Sequence, residues 1–174
     1  MQSQGGQRPP VGALGGYDPA FVRQHTPWLR RVLHGYFRAR IEGLEGLADR
    51  PFLGVGTHNG SILMPDMLVW VSAYHTAGRK TPLVTLAHDL LFAADQPLSR
   101  ALSRLGGVRA DPEAALAALR QGYAVQVYPG GDYDSSKPFW RRHEVTFAGR
   151  RGYVRLALRG GVPLVPSVSI GAHE

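Results

Sequence analysis

Apolar positions along the chain switch between two periods. From Asp18, a good N-cap followed by Pro19 at the first helical position, Leu29, Val32, Leu33 and Tyr36 recur at i, i+3, i+4 and i+7. This spacing predicts an amphipathic helical arm, with Pro27 as its candidate break. Short apolar runs then predict strands near Phe37–Ile41, Phe52–Gly56, Leu83–Leu86, Ala124–Tyr128 and Leu164–Ile170. Helical patterns fill the gaps at Pro65–Ala77, Gln96–Leu105, Pro112–Gln121 and Arg150–Arg159; the third has Asp111 as N-cap, Pro112 at N1 and Gly122 as its stop. Strands alternating with helices imply right-handed crossovers and therefore an α/β fold, a mostly parallel central sheet flanked by helices. The stretch Gly130–Gly149 fits neither period, and a connection of that length in a compact domain is usually functional.

Composition narrows the picture. With 174 residues, 44% of them hydrophobic, the chain can bury one real core but not two ordinary ones. Residues 1–16, rich in Gly, Gln and Pro and without an apolar signal segment, read as a disordered leader, and residues 17–174 as one domain. No apolar run approaches the ~20 residues that span a bilayer; Ile62–Ala73 is interrupted by Pro65, Asp66 and Ser72. The expected location is cytoplasmic, peripheral at a membrane. There is no cysteine, so chemistry falls to His, Asp and Ser. His75, His88 and His173 lack metal-site spacing, and no metal is expected.

The formal net charge is +7, and Lys137–Arg159 holds seven Lys/Arg against Glu144 alone. Such a segment suits anionic lipid headgroups, the phosphates of coenzyme A, or simply solvent. Arg151, Arg155 and Arg159 form a basic stripe, but no nucleic-acid-binding motif accompanies it, so no nucleic-acid partner is expected. The aromatics of the arm alternate with Arg23, Arg30, Arg31 and Arg38, which fits either a membrane interface or a helix capping the core.

Two strand-end loops could carry chemistry. Gly54-Val55-Gly56-Thr57-His58-Asn59-Gly60-Ser61 places His58 at the carboxyl end of a strand, where open α/β sheets bind ligands. Neutral histidine is suited to removing a proton near pH 7, and Asp66 in the first turn of the next helix could orient its ring; Gly60 could help form an oxyanion site. The plain alternatives are a surface histidine and an acid that complements a helix dipole. In Tyr128-Pro129-Gly130-Gly131-Asp132, adjacent Gly130 and Gly131 permit an anion nest, with Lys137, Arg141 and Arg142 just beyond; a simple turn is the default meaning.

Together, Thr57-His58-Asn59-Gly60, Asp66, Leu105-Gly106-Gly107-Val108, Tyr128-Pro129-Gly130-Gly131 and Val162-Pro163-Leu164-Val165-Pro166 resemble, in order and spacing, the motifs of the glycerol-phosphate and lysophospholipid acyltransferase family. Gly149–Pro166 resembles the branch of type-two diacylglycerol acyltransferases and related bacterial proteins. The resemblance implies an O-acyltransferase with an acyl-CoA or acyl-carrier-protein co-substrate, no bound cofactor, membrane lipids as partners, a glycerolipid hydroxyl as acceptor, and His58 as base. The family's usual four residues between His and acid would put the acid at Leu63; here Asp66 follows after seven. The family's Pro-Glu-Gly-Thr-Arg, whose charges bind acceptor phosphate, is replaced by Pro129-Gly130-Gly131-Asp132-Tyr133. That implies a neutral acceptor, or a phosphate held by Lys137, Arg141 or Arg142. Family members continue beyond the point matching Glu174, so a fragment is expected. The alternatives are a non-catalytic peripheral lipid-binding domain and an acyltransferase for glycolipid or amine acceptors.

Overall fold

The computed structural model describes residues 9–59 and 65–171. In chain order these form α1 (Pro19–Phe37), β1 (Leu53–Gly56), α2 (Pro65–Thr76), β2 (Leu83–Ala87), α3 (Pro97–Arg104), β3 (Gly107–Arg109), α4 (Pro112–Arg120), β4 (Ala124–Val127), α5 (Asp132–Ser135), α6 (Gly152–Gly160) and β5 (Leu164–Ser167). The strands make one parallel sheet in the order β3-β2-β4-β1-β5. The expected α/β architecture is therefore present.

Side-chain alternation on the central strands splits the core into two layers. Leu53, Val55, Val84, Val125 and Val127 meet Ala115, Leu116 and Leu119 of α4 and Leu156 and Ala157 of α6. Phe52, Leu83 and Ala124 point the other way, onto Met67, Val71 and Tyr74 of α2. The chain leaves β1 across the face covered by α2, toward β2. It enters and leaves β4 by way of α4 and α6, on the opposite face. Adjacent central strands whose connections diverge to opposite faces mark a topological switch point, and the crevice at their carboxyl ends is where such sheets bind ligands.

Local chemistry explains the helix boundaries. Asp18 accepts hydrogen bonds from the Ala20 and Phe21 N–H groups at 3.0 Å, and Asp111 accepts from Ala114 N–H at 2.7 Å. Helix α1 runs unbroken through Pro27, which is exposed, so the carbonyl that loses its intrahelical donor is open to water. The strand expected at Phe37–Ile41 does not form. Phe37 is the last residue of α1, Arg38 adopts a left-handed cap (φ 50°) whose N–H returns to His34 O, and among the described residues no strand pairs with residues 39–41. Strand β3, by contrast, was not expected; three residues are too few to display a period, and its pairing with β2 creates it. Within residues 9–16, Gly12 N–H donates to Ser103 Oγ at 3.2 Å and Gly12 O accepts from Arg109 N–H at 2.9 Å, tying the segment to the β3 edge. Residues 1–8 lie outside the described residues.

His75, near the end of α2, gives the fold a pH dependence. Its Nε2 is buried without a partner, and burial pushes its pKa down to about 4. The unfolded chain binds this proton near the ordinary histidine value of about 6.5, the folded chain only near 4. The stability linked to His75 is thus intact above about 6.5 and lost as pH falls to about 4, on the order of 3 kcal/mol in all. Urea midpoints of the wild type should drop between pH 7 and 4.5 by more than those of His75→Leu; parallel pH profiles would refute this.

Candidate active site

Strand β1 is buried along its length, and its continuation stays paired to the β5 side: Thr57 N–H donates to Ser167 O at 3.1 Å, and Thr57 Oγ1 accepts from Ser169 N–H at 2.9 Å. This pairing delivers His58 to the carboxyl edge of the sheet beside the loop that leaves β4. The His58 ring meets Asp66, the second residue of α2, with Nδ1 and Oδ2 2.9 Å apart; their side chains are 11% and 2% exposed. Asn59 N–H donates to the same Oδ2 at 3.0 Å. A carboxylate only accepts, so Nδ1 carries a hydrogen, and in the neutral ring the lone pair is on Nε2. Among the described residues Nε2 takes no hydrogen bond. Asp66 Oδ1 is buried without a partner.

Tyr128, at the end of β4, underlies the imidazole, with ring centroids 4.9 Å apart and planes tilted by 36°. Burial, and secondarily the nearby Asp66 charge, pushes its phenol well above the usual tyrosine value, so Tyr128 is neutral. The chain then turns at Pro129-Gly130-Gly131. Gly131 sits at φ 51°, ψ −134°, a conformation that favours glycine, and its N–H donates to Tyr128 O at 3.0 Å. Any Cβ on Gly130 would press into Asp134 and lie 2.7 Å from Thr146 O. Arg150 braces the turn from outside, donating from Nη1 to Pro129 O and Gly130 O at 3.1 Å each.

The two loops are joined by a residue that the sequence pattern does not single out. Asp134, fully buried, accepts from His58 N–H through Oδ2 at 2.6 Å and from Lys137 Nζ through Oδ1 at 2.8 Å. Lys137 Nζ also donates to Glu144 O at 2.7 Å, and its side chain is 4% exposed. A buried carboxylate whose two oxygens each hold a donor fixes the His58 backbone against the α5 segment. The Asp134/Lys137 spacing of i, i+3 was a readable signal for an ion pair; its link to His58, 76 residues away, was not.

The sequence-selected residues thus divide. His58 and Asp66 are brought together. Gly130 and Gly131 stand at the same sheet edge, with the Gly131 N–H engaged internally. Lys137 points inward to Asp134. Arg141 pairs at the surface with Glu144, at 2.7 Å, and Arg142 lies over the Phe139 ring, 4.0 Å from its centroid. Lys137, Arg141 and Glu144 line a cleft of about 530 Å3, together with Asp132, Tyr133 and Thr146. Gly60 lies outside the described residues. Among the described residues no helix is long and apolar enough to cross a membrane.

Comparison with known proteins adds the family context. A family model described as diacylglycerol acyltransferase matches residues 15–174. An uncharacterized protein of Mycobacterium tuberculosis is 31% identical over 162 residues, covering 91% of this chain and 45% of that one. Diacylglycerol O-acyltransferase 2 of Danio rerio is 28% identical over 170 residues, covering 92% and 45%. A Gallus gallus protein named as a storage-lipid-synthesizing enzyme is 25% identical over 144 residues, covering 83% and 41%. The chain therefore spans less than half the length of these relatives. No solved structure matches it.

Proposed function

Because the chain belongs to the diacylglycerol acyltransferase family, we propose that it moves a fatty acyl group from an acyl-CoA or acyl-carrier-protein thioester to the hydroxyl of a glycerolipid, with His58 as general base. The observation that carries this reading is the buried His58–Asp66 pair at the switch point of the sheet, with Nε2 directed away from its carboxylate partner.

The acceptor hydroxyl donates to Nε2, and its oxygen attacks the thioester carbonyl as the proton passes to the ring. Asp66 stabilises the imidazolium that forms. The tetrahedral oxyanion needs donors, and Gly60 supplies a backbone N–H in this scheme. Collapse expels the thiolate, which recovers the proton from His58 and leaves as the thiol. With no cysteine, and with Ser61 in no nucleophile motif, the scheme has no acyl-enzyme and transfer is direct.

A neutral acceptor suits the site better than a phosphate-bearing one. The usual acceptor-phosphate charges are absent from Pro129–Tyr133. Lys137 is committed to Asp134 and Arg141 to Glu144, and the Arg142 guanidinium stacks on Phe139. A diacylglycerol-like alcohol presented at a membrane surface is the substrate class we assign. Incubation with acyl-CoA and a mixed panel of neutral, phosphorylated, glycosylated and amine lipid acceptors, followed by mass spectrometry, tests this. Acylated neutral glycerolipid with matching thiol release is expected. Lipid binding without thioester consumption would overturn the enzymatic reading, and acylation confined to another acceptor class would overturn the assignment of the alcohol.

A further inference from the structure

Helix α1 has three distinct faces. Val22 and Thr26 are buried, and Leu29 and Leu33 are partly buried beside them. Next to that face, Trp28, Val32 and Tyr36 stand at i, i+4 and i+8, forming a stripe that is 64%, 45% and 80% exposed. Arg23, Arg30, Arg31 and Arg38 lie on the remaining exposed surface, among Gln24, Pro27 and Gly35, and are followed by Arg40. No Asp or Glu lies between Pro19 and Ile41. Arg30 donates to the Thr76 hydroxyl at 3.0 Å, and among the described residues none of these five arginines forms an ion pair.

We propose that this face of α1 is a docking surface for an anionic lipid bilayer, with Trp28, Val32 and Tyr36 entering the headgroup boundary and the flanking arginines meeting lipid phosphates. Trp and Tyr suit that depth because each has an apolar ring and a polar tip. Arginine adds bidentate pairing to phosphate, and its long stem lets the head stay at the surface while the helix sinks. Charge complementarity selects the occupant. A second copy would set one uncompensated row of five arginines against another, whereas an anionic leaflet neutralises the row. The apolar stripe, three residues long and one wide along about two turns, fits shallow insertion.

This surface does not involve His58, so its test is separable from that of the proposed reaction. The whole chain is sedimented with vesicles of phosphatidylcholine alone and with vesicles of phosphatidylcholine and phosphatidylglycerol in equal parts, at low and high salt. Binding is expected only on the mixed vesicles and should weaken as salt screens the arginines. The triple variant Arg23→Gln, Arg31→Gln, Arg38→Gln should lower the partition coefficient on the order of a hundredfold. Trp28→Ser with Tyr36→Ser should lower it by about tenfold at unchanged charge. Both sets alter exposed side chains, and circular dichroism checks that α1 persists. His58→Ala should bind vesicles like the wild type. Equal binding to neutral vesicles, or binding indifferent to both sets of changes, would overturn the proposal. So would a concentration-dependent dimer that the same changes dissolve, because the face would then belong to a second copy.

Discussion

His58→Ala is expected to lose acyl transfer by on the order of a thousandfold or more while keeping its fold. The ring is bonded through Nδ1 to Asp66 and packed over Tyr128 beyond the strand ends, so its removal costs some stability by taking a donor from the buried Asp66, which keeps Asn59 N–H, but leaves the two core layers intact. On the proposed reaction, what is lost is the base, and with it the route by which the acceptor proton departs. Asp66→Asn is the sharper companion. An amide that keeps its oxygen on Nδ1–H and Asn59 N–H carries no charge to stabilise the imidazolium, and one turned to donate there would move the imidazole hydrogen to Nε2. It should therefore approach the loss seen for His58→Ala with almost no change in shape. Initial rates of thiol release at saturating acyl-CoA measure both. Activity retained in His58→Ala would remove this residue from the mechanism, and activity retained only in Asp66→Asn would remove the carboxylate's part in it.

The largest expected effect on stability is at Asp134. Alanine there leaves the Lys137 ammonium buried with only Glu144 O as acceptor and takes the acceptor from His58 N–H. Breaking a buried pair on one side costs about 3–5 kcal/mol, much of it the uncompensated charge. The urea midpoint of Asp134→Ala should fall accordingly. Adding Lys137→Met should restore a substantial part, since the double change removes both charges. The restored variant should remain impaired in turnover, because the His58 backbone has still lost its anchor. If the double variant were no more stable than Asp134→Ala alone, the buried charge would not be the cause of the loss.

The sequence displayed the fold wherever one local signal was strong: apolar strands bounded by turns, and Asp-Pro pairs opening α1 and α4. It misled at Phe37–Ile41, where five alternating residues looked like a strand, but Phe37 ends a helix, Arg38 caps it and residues 39–41 form no element. It was silent at β3, where pairing with β2 does the work that composition does elsewhere. The histidine could be read because strand-end position is visible along the chain. Asp66 was readable as a partner through its place at a helix start, although the loop between them is longer than the family's usual one. Asp134 and Arg150 were missed because their importance comes from contacts across the sheet edge. The basic segment Lys137–Arg159 shows the same limit. Its charge is real, but Lys137, Arg141 and Arg159 each answer a particular carboxylate, on Asp134, Glu144 and Glu113. Of the resemblance read from the motifs, the diacylglycerol acyltransferase branch is the part carried by the family match.

The position of β1 and β4 in the middle of the sheet separates two kinds of evolutionary change. Each is hydrogen-bonded on both sides, so the platform under His58 and the Pro-Gly-Gly turn is insulated from alterations at the far rim, where β3 is only three residues long, while β5, on the near side, holds Thr57 directly. Length and sequence can drift in the peripheral loops, or in whatever adjoins the β5 edge, without resetting the distance between imidazole and carboxylate. Under the proposed reaction, a scaffold built this way could trade one lipid alcohol for another while the His58–Asp66 geometry is inherited unchanged.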